Sequence, residues 1–169
     1  MTFIASTCLV SETPKQRPNA QALDFLSSHD IVFTSATLVD IQRGINRAAQ
    51  TNPSKAADLQ KWLTSERTKR SVLSERMWET ARVLAAILEC RPLKNVWLPD
   101  PKVRNPSFGH HVATAAAAIA YGLPIAAISV KEFVKIDAHF MMPGVYDVLA
   151  KRWVSRQEPT GKFNYLSAA

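Results

Sequence analysis

The sequence predicts an α/β fold, a central and mostly parallel sheet covered by helices, on three observations. Short β-rich apolar runs recur at Phe3-Ile4-Ala5, Ile31-Val32-Phe33 and Pro124-Ile125-Ala126-Ala127-Ile128. Segments of helical period lie between them, and that alternation is what parallel strands joined by crossover helices produce. A chain of 169 residues, 47% hydrophobic and 21% charged, suits one domain with a core of its own and leaves little room for a second. The domain is expected over residues 1–154, with a polar tail over 155–169.

Taken in order, the first run ends at Ser6-Thr7, the carboxyl end of a strand, where ligands of such sheets collect. Pro14 and Pro18 break the chain, and Asn19 then caps a helix with Ala22, Leu23 and Leu26 on one stripe. Ile31–Phe33 is a second strand, bounded by Asp30 and Thr34. From Thr37 to Ala49 the apolar residues Leu38, Ile41, Ile45 and Ala48 keep a helical period that leaves Asp40, Arg43 and Arg47 off the buried stripe. After Asn52-Pro53 a further helix turns Ala56, Leu59 and Leu63 inward and ends in a charged run, Glu66, Arg67, Lys69 and Arg70, expected as a solvated face.

Val72-Leu73 predicts a brief strand, and Ser74 the cap of a long helix with Trp78, Ala81, Leu84, Ile87 and Leu88 on its core side. Four prolines between Arg91 and His110 predict a long loop. Val112 to Tyr121 is a small-residue helix ended by Gly122, followed by the third strand and a short helix around Glu132 to Val134. Phe140–Met142 is expected as an edge strand and Tyr146–Val154 as a helix.

Composition excludes several classes. No apolar stretch approaches the roughly 20 residues that span a bilayer, and Met1 to Ala5 lacks the basic lead of a secretory signal, so a cytoplasmic protein is expected. Cys8 and Cys90 form no metal-ligand spacing and no disulfide framework. A net charge of +7 favours an anionic partner, nucleic acid or an acidic protein, unless it only solubilises the surface.

Three local patterns resemble PIN-domain proteins, specifically VapC-type toxins and their plasmid-stability relatives. The stretch Ile4-Ala5-Ser6-Thr7-Cys8-Leu9-Val10-Ser11-Glu12, with Arg17-Pro18-Asn19 and Leu23-Asp24-Phe25-Leu26 after it, is similar to the family's opening strand, its Asp-Thr-Asn-Val-Leu-Ser-Glu turn and its first helix. Thr37-Leu38-Val39-Asp40-Ile41-Gln42-Arg43-Gly44-Ile45 resembles the family's Thr-Leu-x-Glu-Ile-x-Arg-Gly helix and is the most specific of the three. The alanine-rich helix into Tyr121-Gly122-Leu123, then a strand and Val130-Lys131-Glu132-Phe133, resembles the C-terminal side. The likeness runs over roughly residues 3 to 140, in the family's order.

The resemblance implies a PIN-like three-layer fold and a cluster of three or four acidic side chains that holds Mg²⁺ or Mn²⁺ and cuts RNA. A hard divalent ion takes oxygen ligands, binds a phosphate and activates water for in-line attack. This sequence departs from that pattern. Ser6 stands where the first aspartate is expected, Cys8 where Asn is usual, His111 at the third acid and Ser129 near the fourth; Asp40 alone keeps a carboxylate, one methylene shorter than the family's glutamate. With one carboxylate of four, affinity for Mg²⁺ or Mn²⁺ is expected to be weak or absent, with Asp40 as its one ligand.

Glu12, Asp100, Glu132 and Asp137 are the candidate surrogate carboxylates. His110 and His111 beside Asp40 suggest a softer ion such as Zn²⁺ or Ni²⁺, or else a His pair that merely opens a helix. Ser6, His111 and Asp40 would be a hydrolytic triad only by proximity. Trp62 and Trp78 read as packing, whereas Trp97 and Trp153, with Lys94, Lys102, Arg104, Lys151 and Arg152 around them, suggest a basic and aromatic rim for nucleic acid. Arg43 either pairs with Asp40 or faces a phosphate. Three functions are therefore in view: a degenerate PIN protein, a pseudoenzyme that binds RNA or an antitoxin-like partner with cleavage lost or weakened; an active ribonuclease using Asp40 and displaced ligands; and a non-catalytic homodimeric interaction protein.

Overall fold

A computed structural model describes residues 1–74, 76–98 and 109–155. Five strands, β1 (Thr2–Ala5), β2 (Asp30–Val32), β3 (Ile125–Ala127), β4 (Val145–Asp147) and β5 (Arg152–Trp153), form one sheet in the order β2-β1-β3-β4-β5. The first four are parallel and β5 turns back antiparallel to β4. Phe33 just beyond β2 bridges in parallel to Val72, which extends that edge by one more segment, as the Val72-Leu73 run predicts.

Side-chain alternation divides the molecule into three layers. Phe3, Ala5, Ile31, Phe33 and Ala126 join one apolar cluster with Leu9, Phe25, Ile41, Ile45 and Leu63. Ile4, Val32, Ile125, Ala127 and Val145 join the other, with Val83, Ile87, the alanines 115–118 and Phe133. The helices α1 (Thr7–Val10), α2 (Ala20–Ser28), α3 (Ser35–Thr51) and α4 (Pro53–Lys69) cover the first face. The second is covered by α5 (Met77–Glu89), α7 (His110–Tyr121) and α8 (Lys131–Asp137), with the one-turn α6 (Lys94–Trp97) beside them. Among the described residues no helix is long and apolar enough to cross a membrane.

The helix starts follow capping chemistry. Asn19 accepts from the Gln21 and Ala22 amides, Thr34 from the Thr37 amide and Asn52 from the Lys55 amide. Gly122 closes α7 in the left-handed region, where a β-carbon would be strained. Alanines along α7 let α5 and the sheet approach it from opposite sides, and Ala115, Ala116 and Ala118 are fully buried.

Five expectations are corrected. Residues 146–154 form β4's end, a turn and β5 rather than a helix, and Phe140–Met142 is irregular chain after the turn that ends α8 rather than a strand. Asp147 accepts from the Leu149 and Ala150 amides and folds the hairpin, which sets Tyr146 opposite Trp153. Helix α5 begins after Arg76, not at Ser74; its buried stripe is Val83 and Ile87, while Trp78 is 74% exposed and Ala81 is exposed as well. Glu66 is not solvated but buried, gripped by Lys69 and Arg70. The proline-rich stretch is helical at its start, a 3-10 turn over Arg91–Leu93 and then α6, while residues 99–108 and the tail 156–169 lie outside the described residues.

Candidate functional site

The strand order places β2 and β3 on opposite sides of β1, so the chain leaves the carboxyl ends of β1 and β3 in diverging directions and opens a crevice there. Ser6 follows β1 and Ser129 follows β3 by two residues. Thr37 fixes α3 against this end: its hydroxyl donates to the Ala5 carbonyl at 3.3 Å, and Thr34, itself buried, lies 3.1 Å from it. One turn further along α3 stands Asp40.

The Asp40 side chain is 18% exposed. Its Oδ1 lies 3.7 Å from Arg43 Nη1, one turn on, and its Oδ2 lies 3.6 Å from His110 Nδ1, at the start of α7. The His111 ring tilts against that of His110 with centroids 3.9 Å apart, and its other side meets Phe133 edge-on at 5.3 Å. Burial pushes His111 down to about 4, with His110 adding to the effect. Burial also lowers His110, against the pull of Asp40. Both rings are therefore neutral at pH 7.

Of the positions expected in the site, Asp40 and the His pair come together, although the imidazole that meets Asp40 is His110. Ser129 donates to Glu132 Oε2 at 3.5 Å, and Glu132 lies close enough to act on both histidines. Ser6 is buried, with its hydroxyl 3.1 Å from Cys8 Sγ. The surrogate carboxylates have structural uses. Glu12 pairs with Lys15 and accepts from the Asn19 amide, which lowers its pKa, and Asp137 accepts from the Met142 amide at 2.8 Å. Asp100 lies outside the described residues.

Among the described residues no three His, Cys, Asp or Glu side chains come together to hold a metal ion. Asp40 and Glu132 flank two neutral imidazoles, with a guanidinium beside Asp40, and this set does not gather the several anionic oxygens that Mg²⁺ or Mn²⁺ needs. No chemical step can be derived through such an ion here.

The expected rim is only partly at hand. Lys94 is exposed on α6, and Lys151 and Arg152 are exposed at the hairpin beyond the carboxyl end of β4, while Lys102 and Arg104 lie outside the described residues. Neither tryptophan of the expected rim is free to stack. Trp153 lies against Phe3 and Tyr146, centroids 5.8 and 5.3 Å away, and Trp97 packs against the second apolar cluster with its indole nitrogen buried.

A groove missed at the level of sequence opens beside Asp40, about 1180 Å³ in volume. Ile41, Ile45, Leu59 and Trp62 give it an apolar lining between α3 and α4, and Lys15, Arg47 and Lys55 stand around it together with Asp40 and Asp58. The Thr7 hydroxyl and the Trp62 indole N–H belong to this wall, buried and without a hydrogen-bond partner among the described residues. An unmet buried donor costs about 1–3 kcal/mol. The groove's cations come from three separate elements, so no sequence pattern announces them.

No protein-family model matches this chain, and no curated protein matches it. Solved structures do. FitAcB from Neisseria gonorrhoeae is 19% identical with a TM-score of 0.59, over 81% of this chain and 94% of that one. FitAB bound to an IR36 DNA fragment is 18% identical with a TM-score of 0.57, over 81% and 91%. VapBC2 from Rickettsia felis, bound to a DNA fragment from their promoter, is 16% identical with a TM-score of 0.53, over 79% and 91%. At these identities the likeness is one of fold, and the fold is PIN-like, of the VapC type.

Proposed function

We propose that this chain is a degenerate PIN-type protein that holds an antitoxin-like protein partner and has lost metal-dependent cleavage of RNA. The observation that carries the proposal is the pairing of two features at one place. Asp40, at the position of the family's helix glutamate, faces Arg43 and His110, and it opens onto a groove with an apolar lining where Lys15, Arg47 and Lys55 stand with Asp58. Such a groove suits a segment with alternating apolar and acidic side chains, and an acceptor on that segment would satisfy the Trp62 N–H. The structural neighbours support the reading, because FitAB and VapBC2 are assemblies named for two components.

Its test is a nuclease assay on the purified chain with Mn²⁺ and single-stranded RNA. No cleavage above a protein-free blank is expected; robust cleavage that Asp40→Ala abolishes would overturn the proposal. A second reading, RNA binding without cleavage, is favoured by Lys151 and Arg152 at the carboxyl end of the sheet and by the net charge of +7. Filter binding at two salt concentrations separates the two. Phosphate-driven affinity falls steeply as salt rises, and an absence of salt-sensitive retention counts against RNA.

A further inference from the structure

The groove between α3 and α4 has the chemistry of a place made to be filled. Two buried groups in its wall, the Thr7 hydroxyl and the Trp62 indole N–H, lack a partner among the described residues. Ile41, Ile45 and Leu59 supply apolar lining, and charges of both signs stand around it, Lys15, Arg47 and Lys55 with Asp40 and Asp58. A fitting occupant brings apolar side chains close together, an acceptor for the indole, and both an acid and a base. Residues 156–169 of this chain hold that combination. Phe163, Tyr165 and Leu166 are the apolar members, Asn164 and the Tyr165 hydroxyl are acceptors, and Glu158 and Lys162 carry the two charges.

The chain length suffices to bring them there. Ser155 follows β5, whose Trp153 packs in the same apolar cluster as Leu59 and Trp62. Three strand spacings, about 14 Å, separate β5 from β1, and Thr7 lines the groove just beyond the carboxyl end of β1. Extended chain covers roughly 3.3 Å per residue, so Phe163 reaches about 26 Å from Ser155 and Leu166 about 36 Å. We propose that the groove takes the chain's own residues 162–166, with Phe163 and Leu166 on the apolar lining, Tyr165 accepting from Trp62 and Lys162 beside the groove's acids. This rests on the reading of the groove as a docking site for an apolar segment, and it adds the regulation of that site. A segment on the same chain acts at an effective concentration of about 1 mM. A separate partner therefore gains the groove only by displacing it.

The test is nuclear magnetic resonance of the full chain labelled with nitrogen-15, with the Trp62 indole proton as reporter and Trp62→Phe to assign its signal. It is compared with the double variant Phe163→Ser and Leu166→Ser, whose fold circular dichroism confirms. The indole proton of the parent chain should exchange with solvent roughly tenfold or more slowly than that of the variant, since an occupied groove must open first. A synthetic peptide of residues 156–169, added to the variant at about 1 mM, should restore the slow exchange. Equal exchange in the two chains overturns the inference, and so does a peptide that leaves the variant unchanged. Neither measurement contains RNA or metal, so its failure leaves the groove open to a separate partner, whereas failure of the docking reading shows in the nuclease assay.

Discussion

Glu66 and Asp40 each sit between two nitrogen-bearing side chains, yet the two carboxylates are held very differently. Glu66 lies 3.0 Å from Arg70 Nε and 3.2 Å from Lys69 Nζ, its side chain 8% exposed. Arg70 goes on to the Leu26 carbonyl, which ties the end of α4 to α2. Asp40 stands 3.7 and 3.6 Å from Arg43 and His110, is more exposed, and faces imidazoles that burial keeps neutral. The contrast separates a carboxylate that ties two helices together from one that does not. The first has its hydrogen bonds complete at short range, and the second is held loosely at the mouth of a groove, open to another partner.

The largest expected effect comes from the structural member. Glu66→Gln keeps the volume but leaves the Arg70 guanidinium, itself mostly buried, without its counter-charge. Removing one partner of a buried pair is strongly destabilising, and about 3 kcal/mol is expected here. Denaturant unfolding measures it. A loss below about 1 kcal/mol would place Glu66 in the same class as Asp40 and erase the contrast.

The second prediction concerns the imidazoles that face Asp40. In the folded chain His111 titrates at about 4, below its ordinary unfolded range near 6.5. Between those values the unfolded chain takes up a proton that the folded chain refuses. This contribution to stability is complete above pH 6.5 and is lost as pH falls towards 4. His110 is displaced in the same direction. The unfolding free energy should therefore drop by about 2 kcal/mol from pH 7 to pH 4.5 on account of His111, with its partial exposure allowed for. The His111→Gln variant should lose that share of the slope, and an identical slope in the variant would refute a buried, neutral imidazole.

The same contrast shows what the sequence can reveal. Strands β1, β2 and β3 were legible because a parallel strand covered on both faces must be apolar throughout. Strands β4 and β5 were not, since Tyr146 and Trp153 are seven residues apart, two helical turns as well as two sides of a hairpin. Trp78 misled similarly: with Ala81 and Leu88 it fits a helical stripe, but the stripe that packs runs through Val83 and Ile87. The burial of Glu66 depends on Arg70 reaching α2, a contact across 44 residues that no local pattern encodes. Asp40 lies off the buried stripe of its helix, so period says nothing of it; the resemblance of that helix to Thr-Leu-x-Glu-Ile-x-Arg-Gly is what singles it out. Both His110 and His111 are expected beside it, and which of the two rings meets the carboxylate is a matter of one position, a rotation of 100° on a helix, that sequence does not resolve.

The smallest effect is expected at Asp40, and it sharpens the contrast most. Asp40→Asn removes one charge from a contact of 3.6–3.7 Å that is partly open to solvent. Pairs of that kind contribute about 0–1 kcal/mol, so unfolding by denaturant should change by less than about 1 kcal/mol. A metal site gives a different signature, because an ion bound only to the folded chain raises stability with its concentration. Thermal unfolding with and without millimolar Mn²⁺ distinguishes the two cases. Parent and Asp40→Asn chains should melt together in both conditions, since a single carboxylate beside Arg43 offers a hard dication one anionic ligand and a repelling charge. A Mn²⁺-dependent rise in the parent chain that vanishes in Asp40→Asn would make Asp40 a metal ligand after all and return the site to hydrolytic chemistry.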